Sequence, residues 1–159
     1  MENNIKEKSL YCLNCKVKPC SNKGCPLNNN IPAFIEQVKN QNLEAAFRIL
    51  ENTTVLQAIC GRICPHRKQC EGSCVRGIKG APVDIGSLEA FVGDYAIEKK
   101  IKLNKTQNSI NKEKKVAIVG GGPARVNMCS FSCKKWNKSY NFWKKWFFRR
   151  TINVWNSGI

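Results

Sequence analysis

The chain has 159 residues, enough for one domain of ordinary size or for a small domain and a fragment of another. Its net charge of +16 is uneven: residues 1–124 hold 19 Lys+Arg against 11 Asp+Glu, whereas residues 125–159 hold 8 basic residues, no acid and all four tryptophans, Trp136, Trp143, Trp146 and Trp155. That distribution argues against phosphate binding as the purpose of the charge, and nucleic acid is not the expected partner. The polar start, Met1 to Leu10, has no apolar run to serve as a signal peptide or membrane span, so a cytoplasmic protein without membrane contact is expected.

The first cysteine group, Cys12, Cys15, Cys20 and Cys25, lies among Pro19, Gly24 and Pro26 and reads as loop. Pro32 then suits a first helical turn. Phe34, Ile35, Val38, Leu43, Ala46, Phe47 and Leu50 recur at helical spacing, with a break at Asn40–Asn42, and predict two short helices whose apolar faces form the core. Thr54 is expected to cap a third helix carrying Val55, Leu56 and Ile59 into the second group, Cys60, Cys64, Cys70 and Cys74, where Gly61, Pro65, Gly72 and Gly77 keep the backbone irregular. After the turn at Gly80–Pro82, Asp84 or Ser87 caps a helix over about 88–99, with Leu88, Phe91, Val92 and Tyr95 on one face. Residues 101–114 read as a linker. Lys115 to Gly120 is a β-branched run ending in glycine, read as a short buried strand that opens a second domain.

Eight cysteines between Cys12 and Cys74, with no secretion signal, are expected to stay reduced and to hold a metal or a cluster rather than to pair. Structural zinc usually takes two Cys-x2-Cys knuckles, and only Cys12 and Cys15 form one. Wider, uneven spacing suits 4Fe–4S cubanes, which take one thiolate per iron, and Cys25-Pro26 and Cys64-Pro65 repeat the Cys-Pro ending of bacterial ferredoxin motifs. Two 4Fe–4S clusters are the expectation. A zinc-stabilised module with a basic nucleic-acid-binding tail is the alternative.

Cys12-Leu13-Asn14-Cys15, Cys20, Gly24-Cys25-Pro26-Leu27, Ile31-Pro32-Ala33-Phe34, Cys60-Gly61-Arg62-Ile63-Cys64-Pro65, Cys70-Glu71-Gly72-Ser73-Cys74 and Asp84-Ile85-Gly86-Ser87-Leu88-Glu89 together resemble the N-terminal two-cluster domain of the glutamate synthase small subunit. The same module is found in dihydropyrimidine dehydrogenase and in related NADPH:ferredoxin oxidoreductase subunits, and the likeness covers residues 10–124. It implies a mainly α fold: an α-helical ferredoxin-like domain over residues 1–100, followed by the first strand of a truncated Rossmann-type α/β domain. It also implies that Cys12, Cys15, Cys20 and Cys74 hold one cubane, and that Cys25, Cys64 and Cys70 hold the other with Glu89 as fourth ligand. Cys60 is left as a small buried residue near the cluster. His66, Arg62, Arg67 and Lys68 lie between or beside ligands, where positive charge would favour a reduced cluster.

Gly120-Gly121-Gly122-Pro123-Ala124-Arg125 follows the strand where a dinucleotide fold places its glycine turn, so Gly120, Gly122, Pro123 and Ala124 are candidate FAD-binding residues. Arg125 stands at the third glycine position, where a helix packs closely on the strand, and no helix of that fold is expected after it. Residues 134–142 and 148–159, back-translated with A/T-rich codons and read one base later, can encode a glycine turn with a buried strand and a loop like that of the flavoprotein relatives. Residues 125–159 are therefore read as an out-of-frame tail. The resulting expectation is a truncated oxidoreductase part, inactive alone, that relays single electrons between FAD and a partner subunit or domain, with FAD and NADPH bound only by the intact parent enzyme.

Overall fold

The computed structural model describes residues 2–104, 115–119, 122–135, 138–144 and 152–155. The chain divides into two units, Met1–Ile101 and Lys102–Ile159. Residues 105–114 of the expected linker, Gly120 and Gly121, and Trp136 and Trp146 of the tail lie outside the described residues.

The first unit is helical. Its opening helix, α1 (Glu2–Leu10), has no counterpart among the expectations, because Ile5 and Leu10 are its only large apolar residues and make no periodic stripe. Ile5 leans on the core, and Lys8 Nζ reaches Asp84 Oδ2 at 2.7 Å. The two predicted core helices are present as α2 (Ile31–Lys39) and α3 (Leu43–Glu51). Pro32 occupies the first turn of α2, where its missing N–H costs nothing. Asn42 ends the break between them by accepting from the Ala45 amide at 3.1 Å. Phe34, Ile35, Val38, Ala46, Phe47 and Leu50 are buried together as expected, joined by Ile31, Val83, Ile85, Leu88 and Val92, while Leu43 is half-buried.

The third helix differs from its expectation. Helix α4 (Gln57–Ile63) starts after Leu56, and Thr54 does not cap it. The Thr54 hydroxyl is taken by the Leu56 amide at 3.1 Å in a local turn, so it has no reach to the first helical amides. Ile59 is 46% exposed rather than core. The reason is that α4 turns its small residues inward: a Cβ added to Gly61 would lie 2.4 Å from the Ala90 amide nitrogen, and one added to Gly93 would lie 2.3 Å from that of Ala58. Only glycine permits this backbone contact between α4 and the next helix, α5 (Ile85–Glu98). Asp84 caps α5, accepting from the Ser87 amide at 3.2 Å and the Ser87 hydroxyl at 2.7 Å. Leu88 and Val92 are buried, and Phe91 and Tyr95 are half-buried.

In the second unit β1 (Lys115–Val119) is the expected strand, but it is not buried: Val119 is 81% exposed. Helix α6 (Pro123–Lys135) follows, contrary to the expectation drawn from Arg125. Pro123 opens it with a preset φ, and Arg125 is taken up half-buried with its Nε lacking a hydrogen-bond partner, the misfit expected of a large cation there. Strand β2 (Lys138–Lys144) pairs parallel to β1, with Val119 opposite Phe142, and β3 (Ile152–Trp155) pairs antiparallel to β2.

Candidate metal centre

Both cysteine groups belong to the first unit. The first loop starts where α1 ends, the Cys12 amide donating to the Ser9 carbonyl at 3.1 Å. Asn14 and Lys18 both take φ of 50° and turn the loop back on itself. Asn tolerates this left-handed conformation, whereas for Lys it costs about 1 kcal/mol or more. A single wide helical turn, Cys20–Gly24, closes with the Cys25 amide on the Cys20 carbonyl at 2.9 Å. Ser21 anchors this turn by accepting from the Ile31 amide at the start of α2.

In the second group Cys60 and Cys64 lie one turn apart on and just after α4, the Cys64 amide donating to the Cys60 carbonyl at 3.1 Å. Short 3₁₀ turns at His66–Lys68 and Val75–Ile78 flank Cys70 and Cys74. The two loops meet at Gly24, where an added Cβ would lie 2.7 Å from the Cys70 Cα. That contact sets Cys25 beside Cys70.

The crossing sorts the cysteines into two sets. Cys12, Cys15 and Cys20 from the first loop and Cys74 from the second line one cavity, closed by Ile31, Ile35, Val83 and Ile85. Burial pushes the Cys12 thiol up against the opposing pull of the Asn14 amide and Lys39. Burial likewise pushes Cys20 to about 11, with Ser21 opposing and Cys74 and Cys12 adding to it.

Around the other centre, burial, Glu71, Glu89 and Cys25 together push Cys70 to about 12, the Glu71 contribution being second to burial. Burial followed by Glu89 raises Cys64, with Cys25 contributing. Burial and then Glu89 and Cys64 bring Cys60 to about 11. Glu89 itself is only 6% exposed, its Oε1 has no hydrogen-bond partner, and burial lifts it to about 7. A buried carboxylate oxygen without a partner, among thiols, is a donor in want of an acceptor.

These donors fit cubanes. A tetrahedral zinc ion holds its four ligands about 2.3 Å from one point, and among the described residues no three His, Cys, Asp or Glu side chains converge in that way. A cubane takes one ligand on each of four irons, so thiols spread around a cavity wall suit it. Cys12, Cys15, Cys20 and Cys74 would hold one such group, and Cys25, Cys64, Cys70 and Glu89 the other.

Of the cations named from sequence, Arg62 and Arg67 are held in ion pairs. Arg62 makes a two-pronged pair with Asp94 at 3.0 and 2.6 Å, and Arg67 lies 3.5 Å from Glu71. His66 packs over Gly86, with its Nε2 buried and without a partner. Two other cations stand at the first cavity. Lys39 donates to the Cys12 carbonyl at 3.0 Å, and Arg76 lines the cavity while donating to the Tyr11 carbonyl at 3.0 Å and covering the Tyr11 ring. Neither was named from the sequence: Arg76 stands two residues after Cys74, which could have marked it, whereas nothing in the spacing of Lys39, on a core helix, does so. Gly122, Pro123 and Ala124 belong to the second unit, where the Gly122 carbonyl accepts from the Arg125 and Val126 amides at the start of α6.

Residues 1–101 match the family model described as dihydropyrimidine dehydrogenase domain II, 4Fe-4S cluster. The chain belongs to that family. It is 38% identical over 120 residues to the NAD-dependent dihydropyrimidine dehydrogenase subunit PreT of Escherichia coli (strain K12), an alignment covering 76% of this chain and 28% of the relative. To the glutamate synthase (NADPH) small chain of the same organism it is 33% identical over 124 residues, 77% of this chain and 26% of the relative. To that of Halomonas elongata it is 35% identical over 113 residues, 71% of this chain and 24% of the relative. The chain thus spans about a quarter of the length of each. The resemblance to the glutamate synthase small-subunit family read from the cysteine motifs is borne out, as is the mainly helical fold. Among the described residues no helix is long and apolar enough to cross a membrane.

Proposed function

We propose that residues 1–100 hold two 4Fe–4S clusters and relay single electrons between FAD and a partner subunit or domain, as the cluster-bearing part of a cytoplasmic, NAD(P)H-linked oxidoreductase. The observation that carries this reading is the cavity lined by Cys12, Cys15, Cys20 and Cys74, three thiols from one loop and one from the other. Bound in these sites, each cubane supplies a one-electron couple. The chain's own residues bury the thiols, place Lys39 and Arg76 beside the first set, and present Glu89 to the second. A carboxylate is a harder ligand than a thiolate and sets the second couple apart from the first.

FAD and NADPH belong to the intact parent enzyme in this reading, and this chain has no turnover alone. Residues 101–114 serve as the linker, 115–124 as the start of the FAD domain, and 125–159 as an out-of-frame tail. The unpartnered Arg125 Nε on α6, a family match that ends at residue 101 and alignments that cover 71–77% of the chain support that division.

The test is the metal content of the whole chain purified without oxygen. About eight iron and eight sulfide per chain, with a reduced-state electron paramagnetic resonance signal from two interacting clusters, is expected. Zinc without sulfide would overturn the reading and favour a zinc-stabilised module with a basic tail.

A further inference from the structure

Cys60 is not the inert small residue that its position outside the ligand set suggests. It stands one helical turn before Cys64, whose amide donates to the Cys60 carbonyl at 3.1 Å, and it is only half-buried. The backbones of α4 and α5 touch at Gly61 and Ala90, the residues that immediately follow Cys60 and Glu89. This contact holds the end of α4 that carries Cys60 against the turn of α5 that carries Glu89, and the Glu89 carboxylate adds to burial in raising the thiols of Cys60, Cys64 and Cys70. Glu89 is buried, and its Oε1 meets no donor. On the two-cluster reading, Cys60 is a fifth donor beside Cys25, Cys64, Cys70 and Glu89, one more than a cubane has irons.

We propose that Cys60 is a reserve ligand, able to take the iron that Glu89 holds whenever the carboxylate is absent. The proposal rests on the two-cluster reading given above. Thiolate is the softer donor and binds cluster iron at least as well as carboxylate, so exchange keeps the iron in place. Cys60 needs no change of element to make it, since it already stands one helical turn from Cys64.

The experiment compares the whole chain with its Glu89→Ala, Cys60→Ala and double variants, all loaded with iron and sulfide without oxygen. Iron and sulfide content and the oxidised-state electron paramagnetic resonance spectrum are read together with iodoacetamide labelling of Cys60, located by peptide mass spectrometry. The expected result is that both single variants keep about eight iron per chain. Cys60 labels in the wild type and becomes protected in Glu89→Ala. The double variant, oxidised with ferricyanide, which takes one electron as one ferrous ion leaves, falls to about seven iron and shows the signal of a three-iron cluster. Labelling of Cys60 in Glu89→Ala equal to that in the wild type, or a double variant indistinguishable from Glu89→Ala, would overturn the proposal. A wild-type chain with about four iron would instead overturn the two-cluster reading beneath it. Should Glu89→Ala prevent folding, as judged by circular dichroism, Glu89→Leu with and without Cys60→Ala reads the same difference.

Discussion

Lys39 donates from Nζ to the Cys12 carbonyl at 3.0 Å, which sets an ammonium against the first cysteine of the first cavity. The residues are 27 apart in sequence and belong to a core helix and a loop. A cation here opposes the burial that keeps the Cys12 thiol protonated, and it favours the more negative, reduced state of a cluster bound beside it. Lys39→Met should lower the potential of the first cluster by some tens of millivolts, on a scale where ~59 mV is a tenfold change for one electron. The second couple should stay where it is. Redox titration followed by electron paramagnetic resonance checks both, and equal shifts in the two couples would remove Lys39 from this role.

The crossing of the loops makes its own prediction. Cys74 joins Cys12, Cys15 and Cys20 in one cavity although Cys70, four residues earlier, lies against Gly24, next to Cys25. Cys74→Ala should therefore remove the cluster of the first loop and leave the other, halving iron from about eight to about four per chain. Cys25→Ala should remove the other cluster, so that the two variants retain different spectra. Identical residual spectra would mean that the sets are assigned wrongly.

Backbone contact between α4 and α5 leaves no room at Gly61. A Cβ there would meet the Ala90 amide nitrogen at 2.4 Å and the Gly86 carbonyl at 2.7 Å, atoms that cannot rotate away. Gly61→Ala should cost about 1 to 3 kcal/mol and loosen the second centre before the first. Gly77→Ala, whose Cβ would find its nearest neighbour at 3.6 Å, should stay within about 0.5 kcal/mol of the wild type. Urea unfolding with iron analysis separates the two variants.

Burial holds Glu89 at about 7, above its ordinary value of 4.5, in the chain without clusters. The folded chain then binds more protons than the unfolded chain between those two values. This contribution to stability is fully present below pH 4.5 and is lost as pH rises through about 7, by roughly 3 kcal/mol in all. Cys20, Cys60 and Cys70 are raised from 9.0 to about 11, 11 and 12, so their own losses fall above pH 9 and stay out of this window. Urea midpoints of the cluster-free chain should be lower at pH 8 than at pH 5, and Glu89→Gln should flatten the difference. An unchanged slope in that variant would show that another group carries it.

What was legible followed from local rules. The apolar spacing of Phe34, Ile35, Val38, Ala46, Phe47 and Leu50 made α2 and α3 readable, because a 3.6-residue period admits one buried face. Asp84 was readable as a cap because its side chain closes on an amide three residues ahead. The cysteine motifs carried the family in the same way, since loop ligands must sit at short fixed intervals. Helix α1 was not legible, having no stripe, and the exposure of Ile59 contradicted its apolar character because α4 packs through Ala58 and Gly61 instead.

By itself, then, the order of residues determined the donor types, the two loops that carry them and the helices between. The tertiary structure decided which segments share a wall: Gly24 against Cys70 joins the loops, Gly61 against Ala90 sets α4 on α5, and α2 carries Lys39 to the Cys12 carbonyl. Those relations are set by backbone contact between segments far apart in the chain, and no periodicity or spacing within either segment encodes the distance between them.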